Sequence, residues 1–159
     1  MISKNLKQYA QDISQITFDM EKVCRTKEDI FCNSINVTSV EFRCLRYLLK
    51  SSFTLVKDLA TDMDLTPPRV TTLLNSLEKK AYLTREVALN DRRVVKVNLT
   101  ENGKIFAKDI SKRYVKFHEN LLSLMKDENQ IKEILENLKC FQQTLEIFLE
   151  NKKDENEGK

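Results

Sequence analysis

Residues 83–103 read LTREVALNDRRVVKVNLTENG, and they predict a β-hairpin with a basic tip. A strand-like run over residues 83–89 and a β-branched run over residues 94–99 flank Asn90 and Asp91, a pair that favours a turn. The hairpin is informative because two β-prone runs flank a charged tip.

Two arginines lie beside the predicted turn and give the hairpin its chemistry. Arg92 and Arg93 keep their charge under all relevant conditions, and the planar guanidinium suits phosphate oxygens or a narrow, electronegative minor groove. Phosphate would repel Asp91, so we assign it a local role in shaping the turn or orienting Arg93. Lys96 adds a positive charge to the second strand. A solvated charged turn is the alternative, because charged residues are mostly exposed.

The residues before the hairpin predict two helices joined by a tight turn. Apolar residues at helical spacing indicate a short amphipathic helix over residues 55–63 and a second apolar stripe over residues 70–77. Thr66 suits the N-cap, and Pro67 suits the first helical position, where a missing N–H costs nothing. This order is typical of a helix-turn-helix.

The exposed face of the second helix carries hydrogen-bonding side chains of the types that contact DNA. Arginine is best matched to guanine, asparagine to adenine and the threonine methyl to the methyl of thymine. An ordinary polar surface explains each residue alone, but not a helix-turn-helix followed by a basic hairpin. The predicted recognition residues are Thr66, Pro68, Arg69, Thr71, Thr72, Asn75 and Lys79.

Residues 55–103 resemble the MarR (multiple antibiotic resistance regulator) family of winged-helix transcription factors, above all in DRR followed at the family's spacing by LTENG. The resemblance implies a homodimer in which residues 66–80 enter the major groove and residues 91–93 form the wing. One departure is Ala81, which stands where the family usually has glycine. A left-handed cap on a non-glycine residue costs roughly 1 to 2 kcal/mol, so we expect the helix to end differently here.

The composition predicts a mostly α protein. Two glycines and two prolines in 159 residues favour long uninterrupted helices and argue against a β-sandwich or barrel. Thr38 and Glu41 form a capping box that begins a helix reaching about residue 51. Apolar stripes predict three further helices, over residues 4–25, 105–124 and 131–148.

We therefore expect a winged helix-turn-helix with a small antiparallel hairpin wing between long dimerisation helices. The expected organisation is an N-terminal dimerisation helix and loop (1–37), the DNA-binding region (38–103), C-terminal dimerisation helices (104–150) and a disordered tail (151–159). The tail is polar and has nothing to bury.

Charge is localised to the predicted DNA-binding region. The formal net charge of the chain is only +3, but residues 66–96 contain seven basic residues against three acidic ones.

No apolar run approaches the roughly 20 residues that span a bilayer, and the N-terminal sequence lacks the apolar core of a signal peptide. We expect a cytoplasmic protein without membrane partners, with its four cysteines reduced.

Two kinds of signal could act on such a regulator. The resemblance implies that an aromatic or amphipathic effector binds in a crevice between the dimerisation helices and the winged helix. For the residues that could line this crevice, packing in the core is the alternative role. These are Phe18, Phe31, Phe42, Arg46 and Tyr114. The second is thiol redox sensing by Cys24 near the end of the first helix and Cys32 in the loop after it, with Cys140 as a third candidate; free cysteine is more often a small buried hydrophobe.

The sequence thus predicts a homodimeric, sequence-specific double-stranded DNA-binding repressor that binds a palindromic operator and is released by a small molecule. The alternative is a winged helix that serves as a scaffold for protein contacts and does not bind DNA. The chain has no phosphate loop, nucleophile elbow or histidine dyad, so we do not expect an enzyme. One histidine and widely spaced cysteines predict no metal site, and we expect no cofactor.

Overall fold

The structure is a computed structural model that describes residues 5–51, 53–88, 91–125 and 127–157, without the side chains of residues 88, 91–93 and 153–157. Six helices and three short strands lie along these residues. The elements are α1 (Leu6–Ser34), α2 (Ser39–Leu48), β1 (Thr54–Leu55), α3 (Val56–Asp62), α4 (Pro67–Lys79), β2 (Leu83–Ala88), β3 (Asp91–Leu99), α5 (Glu101–Leu122) and α6 (Glu128–Glu157).

The strands form a small antiparallel sheet in the order β1-β3-β2. The hairpin pairs Leu83 with Leu99 and Arg85 with Val97, and its register shifts between Val87 and Ala88. The two-residue strand β1, which the sequence did not predict, pairs with the other edge of β3. The predicted class, a mostly α winged helix-turn-helix with a hairpin wing and long flanking helices, is confirmed.

The chain divides into two compact units within α5, the first ending at Tyr114 and the second beginning at Val115. In the first unit, α2, α3, α4, the sheet and the start of α5 share a core. Its largest fully buried side chains include Phe42, Leu45, Leu59, Leu74, Leu77, Leu83, Val97 and Ile110. The second unit consists of the end of α5 and α6, and it exposes Ile134, Leu135, Leu138, Leu145, Ile147, Phe148 and Leu149.

The first helix extends beyond its predicted end. The apolar stripe predicted residues 4–25, whereas α1 begins at Leu6 and ends at Ser34. The added turns contain no glycine or proline, and they bury Phe31 and Cys32, because this end of α1 packs against α2. The prediction stopped early because residues 25–29, RTKED, are polar or charged and interrupt the apolar stripe.

Two other helix ends differ from expectation. α2 ends at Leu48 rather than near residue 51. α6 continues to Glu157, through most of the segment 151–159 that was expected to be disordered; residues 158 and 159 lie outside the described residues. The polar composition of this segment offers nothing to bury, but lysine and glutamate are good helix formers, so the helix continues.

No helix within the described residues is both long enough and apolar enough to cross a membrane.

Candidate nucleic-acid interface

The helix α4 separates a buried apolar face from an exposed polar one. Its buried side chains are Val70, Leu73, Leu74 and Leu77. Thr66 occupies the N-cap in an extended conformation and Pro67 follows at the first helical position, although the Thr66 side chain makes no capping hydrogen bond. The predicted recognition residues are all exposed on the same helix: Thr66, Pro68, Arg69, Thr71, Thr72, Asn75 and Lys79.

Two threonines on the exposed face use their hydroxyl protons within the helix. Thr71 Oγ1 donates to the carbonyl of Pro67, and Thr72 Oγ1 donates to the carbonyl of Pro68, each at 3.0 Å. The bonded hydroxyls keep acceptor lone pairs and leave the methyl groups available for apolar contact.

The end of α4 has the geometry that glycine usually supplies. Ala81 adopts a left-handed conformation with φ 58°. The N–H of Tyr82 donates to the carbonyl of Leu77 and that of Ala81 to Glu78, both at 2.9 Å, as in a Schellman cap. Our expectation that the helix would end differently because of Ala81 is therefore wrong.

Contacts from the LTENG segment explain why Ala81 accepts this conformation. Thr100 Oγ1 donates to the carbonyl of Ala81 at 2.7 Å, and the Thr100 N–H donates to the carbonyl of Tyr82 at 3.1 Å. Thr100 also begins α5, since its Oγ1 accepts the N–H of Gly103 at 2.9 Å. One threonine thus caps α5 and holds the turn after the recognition helix.

Gly103 and Tyr82 complete this junction. A Cβ added at Gly103 would lie 1.8 Å from the carbonyl oxygen of Tyr82, so only glycine permits this close approach. The ring of Tyr82 stacks on Phe106 of α5, with centroids 4.4 Å apart and planes 5° from parallel. The end of α4 and the start of α5 are therefore joined by packing as well as by hydrogen bonds.

A buried carboxylate joins α4 to α2. Glu41 is 3% exposed, and its carboxylate accepts hydrogen bonds from Ser76 Oγ at 2.6 Å, Lys80 Nζ at 2.9 Å and the N–H of Thr38 at 2.9 Å. Burial alone would raise the pKa of Glu41, but the hydrogen bonds from Lys80, Ser76 and Thr38 hold this pKa below its usual value. The predicted capping box of Thr38 and Glu41 is present, and its acid also positions the recognition helix.

The wing is the β2–β3 hairpin, and its basic tip lies mostly outside the described side chains. The backbone of Asp91, Arg92 and Arg93 belongs to β3, but their side chains are not described. Lys96 lies opposite Glu86 in the hairpin, and its Nζ lies 4.9 Å from the ring centroid of Phe53. This cation–π contact directs Lys96 along the sheet surface.

Arg85, which we had counted only as one of the basic residues, bridges the wing and the recognition helix. Its Nη2 donates to Oδ1 of Asn75 at 2.7 Å and also to the carboxylate of Glu78. Side chains two apart on a strand share a face, so Arg85 shares the face of the buried Leu83 that packs towards α4. Strand alternation was the sequence signal for this placement, but it does not identify the partner on α4.

Residues 37–95 match the model of the MarR family, and they contain the helix-turn-helix and most of the wing. The chain is thus similar to the MarR family over this region. Its match to the uncharacterized HTH-type transcriptional regulator YwhA of Bacillus subtilis (strain 168) is 33% identical over 69 residues, covering 43% of this chain and 50% of that protein. The match thus spans about half of that relative's length.

Solved structures share the fold over most of this chain. Wild-type MarR from E. coli, in its apo form, is similar with a TM-score of 0.73 and 16% identity, covering 80% of this chain and 94% of that chain. The MepR–DNA complex of S. aureus is similar with a TM-score of 0.63 and 22% identity, covering 82% and 96%. At these identities the similarity shows the fold alone.

The effector candidates form an aromatic cluster, with one exception. The rings of Phe31, Phe42 and Tyr114 lie with centroids 4.9 to 5.3 Å apart. The guanidinium of Arg46 lies 5.4 Å from the centroid of Phe42 and 5.3 Å from that of Tyr114. Phe18 is 69% exposed on α1. Phe31 and Phe42 are core residues, and Arg46 and Tyr114 form the accessible edge of the cluster.

The cysteines do not lie where a redox sensor was expected. Cys32 is not in a loop but buried within α1, and Cys24 lies in the middle of that helix. Burial, reinforced by Glu28, raises the pKa of the Cys32 thiol to about 11, and burial raises that of Cys44 to about 12. A protonated, buried thiol is a poor nucleophile, so Cys32 lacks the properties of a sensor. Cys24 and Cys140 are exposed.

Within the residues that the structure describes, no group of three or more histidine, cysteine, aspartate or glutamate side chains could hold a metal ion.

Proposed function

We propose that this chain is a homodimeric, sequence-specific regulator of transcription that binds double-stranded DNA. The recognition helix α4 would enter the major groove, and the β2–β3 hairpin would contact the backbone or the adjacent minor groove. The observation that carries the proposal is the division of α4 into a buried apolar face and an exposed polar face, followed by a hairpin with Arg92 and Arg93 at its tip.

The junctions around α4 support this role because a reading helix must be held in one position. Glu41 joins α4 to α2, and Thr100 joins the turn after α4 to the start of α5. Neither contact uses an exposed recognition residue. These contacts therefore hold the helix without using its polar face, which stays exposed.

Exposed apolar side chains on the long helices support the proposed homodimer. On α1, residues at three- and four-residue steps are each 44 to 66% exposed: Leu6, Tyr9, Ile13, Ile16, Met20 and Val23. Similar residues are exposed on α6. Contiguous apolar stripes of this length mark interaction surfaces, and a second copy of the chain would bury them. Two-fold symmetry would then present two recognition helices to a palindromic operator.

Repression and release by a small molecule are the finer part of the proposal. We place the effector at the accessible edge of the aromatic cluster, where the Arg46 guanidinium lies over the Tyr114 ring. A planar aromatic or amphipathic ligand could stack on this guanidinium. Such a ligand should raise the melting temperature of the wild-type protein and weaken its DNA binding, and Arg46→Ala should abolish both effects.

The proposal is tested by selecting bound sequences from a random DNA pool and measuring their affinity by fluorescence anisotropy. We expect a palindromic site whose binding constant falls steeply between low and moderate salt, because phosphate contacts release counterions. Arg93→Ala should weaken binding to every sequence and reduce the salt slope by about one. Asn75→Ala should relax the preference at particular base pairs.

Matched controls come from exposed residues of α6. Asn137→Ala repeats the substitution Asn75→Ala on the other unit, and Lys139→Ala removes a positive charge there as Arg93→Ala does on the wing. Both variants should leave DNA binding unchanged. If the pool yields no bound sequence even at low salt, DNA binding is refuted and a scaffold role takes its place.

A further inference from the structure

We propose that Arg85 orients the Asn75 amide so that this residue reads guanine rather than adenine. The inference rests on the proposed DNA-binding function and adds a base preference to it. Arg85 acts as a positioning residue. It sets the direction of the Asn75 side chain, which would contact the base, and Arg85 itself does not contact the base.

The Arg85–Asn75 contact fixes which amide atom faces the wing. The guanidinium of Arg85 only donates hydrogen bonds, so the Asn75 atom at 2.7 Å must be the carbonyl oxygen Oδ1. The choice between oxygen and nitrogen, which often depends on network assignment, is here settled by chemistry. Within the described part of the chain, Nδ2 of Asn75 makes no hydrogen bond.

Arg85 is itself held in place by its strand and by Glu78. The hairpin register sets Arg85 opposite Val97, which is buried. The carboxylate of Glu78, one helical turn after Asn75, accepts from the same Nη2 atom. The Arg85 side chain is 29% exposed and that of Glu78 is 40% exposed, so the contact lies at the rim of α4. The Arg85 guanidinium also balances the negative charge of Glu78, which reduces the repulsion between Glu78 and DNA phosphate.

The base preference follows from the group that Asn75 has left to offer. Adenine readout by asparagine needs both amide atoms, because Oδ1 accepts from N6 while Nδ2 donates to N7. With Oδ1 directed at Arg85, the outward group is the Nδ2 donor. Guanine presents two adjacent acceptors, N7 and O6, to this donor, whereas adenine presents only N7 beside its N6 amine donor and cytosine presents an amine donor alone. Guanine is therefore favoured over adenine at the base pair that Asn75 contacts.

The test uses the selected operator and identifies the relevant base pair as the one at which Asn75→Ala removes discrimination. All four bases are then placed there, and affinities are measured by anisotropy at fixed salt. Wild-type protein should prefer guanine over adenine by about tenfold. Arg85→Ala should release the amide, weaken binding to guanine and reduce the ratio to within about threefold of unity. Circular dichroism and thermal melting check that each variant is folded.

Two further variants keep the test decisive if Arg85→Ala folds poorly. Glu78→Gln removes a charge but leaves the Arg85–Asn75 contact, so it should tighten binding to all four sequences and keep the guanine preference. Arg85→Lys keeps the charge but loses the guanidinium fork, and the preference should fall.

Three results would overturn the proposal. A wild-type preference for adenine at this pair contradicts the amide orientation, and so does an Asn75→Ala variant that changes no base preference. A uniform loss over all four bases in Arg85→Ala, with a salt slope reduced by about one, would make Arg85 a phosphate contact. Failure of the wild-type protein to bind any DNA would instead refute the proposed function, and this inference with it.

Discussion

The winged helix and the long helices α1 and α6 use apolar residues in opposite ways. In the winged helix, apolar side chains at helical spacing are buried within a single chain, as Leu74 and Leu77 of α4 are. On α1 and α6, side chains with the same spacing remain about half exposed, as Ile16 and Leu138 are. Hydrophobic periodicity therefore predicts a helix in both regions, but it does not tell which molecule covers the apolar face.

The two regions also differ in their polar contacts. The winged helix contains hydrogen bonds between residues far apart in sequence, such as Glu41 with Lys80 and Ala81 with Thr100. The side-chain hydrogen bonds described within α6, such as that between Gln142 and Glu146, join residues four apart. The winged helix is therefore specified by contacts between distant residues, and we propose that a second copy of the chain covers α6.

The largest expected effect comes from placing a charge in the exposed stripe of α1. Ile16→Asp should weaken dimerisation by about a thousandfold, on the order of 4 kcal/mol, because each dimer would bury two unpaired carboxylates. Analytical ultracentrifugation over a range of concentrations measures this change. Gln11→Asp adds the same charge on the opposite side of α1 and should leave the dimer intact. Equal effects of the two variants would show that the stripe is not the interface.

A single added methyl group should destabilise the winged helix by a free energy nearly as large. Gly103→Ala would place Cβ 1.8 Å from the Tyr82 carbonyl oxygen, and the free energy of unfolding should fall by about 3 kcal/mol. Urea denaturation at fixed protein concentration measures it. Asn102→Ala, at the exposed neighbouring position, should be almost neutral. A stable Gly103→Ala variant would mean that α5 can shift away from the turn after α4.

Removing the charge of Glu41 should have a smaller, pH-dependent effect. Glu41→Gln should lower the free energy of unfolding at neutral pH by about 2 kcal/mol, because the buried ion pair with Lys80 is lost. The folded-state pKa of Glu41 lies below its ordinary value of 4.5. Its contribution is therefore complete above that value and is lost as the pH falls through the folded-state pKa.

The difference in stability between wild type and Glu41→Gln should accordingly shrink as the pH is lowered below 4.5. Chemical denaturation at several pH values measures this difference. Glu128→Gln, which removes an exposed partner of Lys132, should leave stability nearly unchanged. A wild-type advantage over Glu41→Gln that persists in acid would contradict the ionic role of Glu41.

The smallest expected effect is a gain in stability. Ala81→Gly should raise the free energy of unfolding by about 0.5 to 1 kcal/mol, because relief of the left-handed strain exceeds the added freedom of the unfolded chain. Asn36 and Asp64 also have positive φ, of 55° and 51°, but these residue types tolerate it better. Thermal denaturation should therefore show a smaller gain for Asn36→Gly than for Ala81→Gly.

Much of the fold could be predicted because its signals act over a few residues. The capping box at Thr38, the proline at the start of α4 and the β-branched run of β3 are local patterns, and the structure confirms each of them. The end of α1 could not be predicted in this way, because its last turns are retained by packing against α2. The same applies to β1, whose two residues become a strand only by pairing with β3.

The residues of the candidate site also separate into those that local patterns predict and those that only tertiary contacts place. The exposed face of α4 follows from helical periodicity, so the residues that lie on it could be named in advance. Arg85 could not be assigned to Asn75 and Glu78, because that contact depends on how a strand lies against a helix. The aromatic cluster of Phe31, Phe42 and Tyr114 was grouped correctly, whereas Phe18 is mostly exposed.

By itself, the sequence determined the order of the helices and of the two hairpin strands, the apolar stripes and the basic wing, because periodicity, caps and turn residues act between near neighbours. Only the tertiary structure decided that Ala81 takes a left-handed turn, that Glu41 positions α4 and that Arg85 engages Asn75. These contacts join residues 10 to 39 positions apart. Their energies depend on the relative placement of whole elements, which no local pattern encodes.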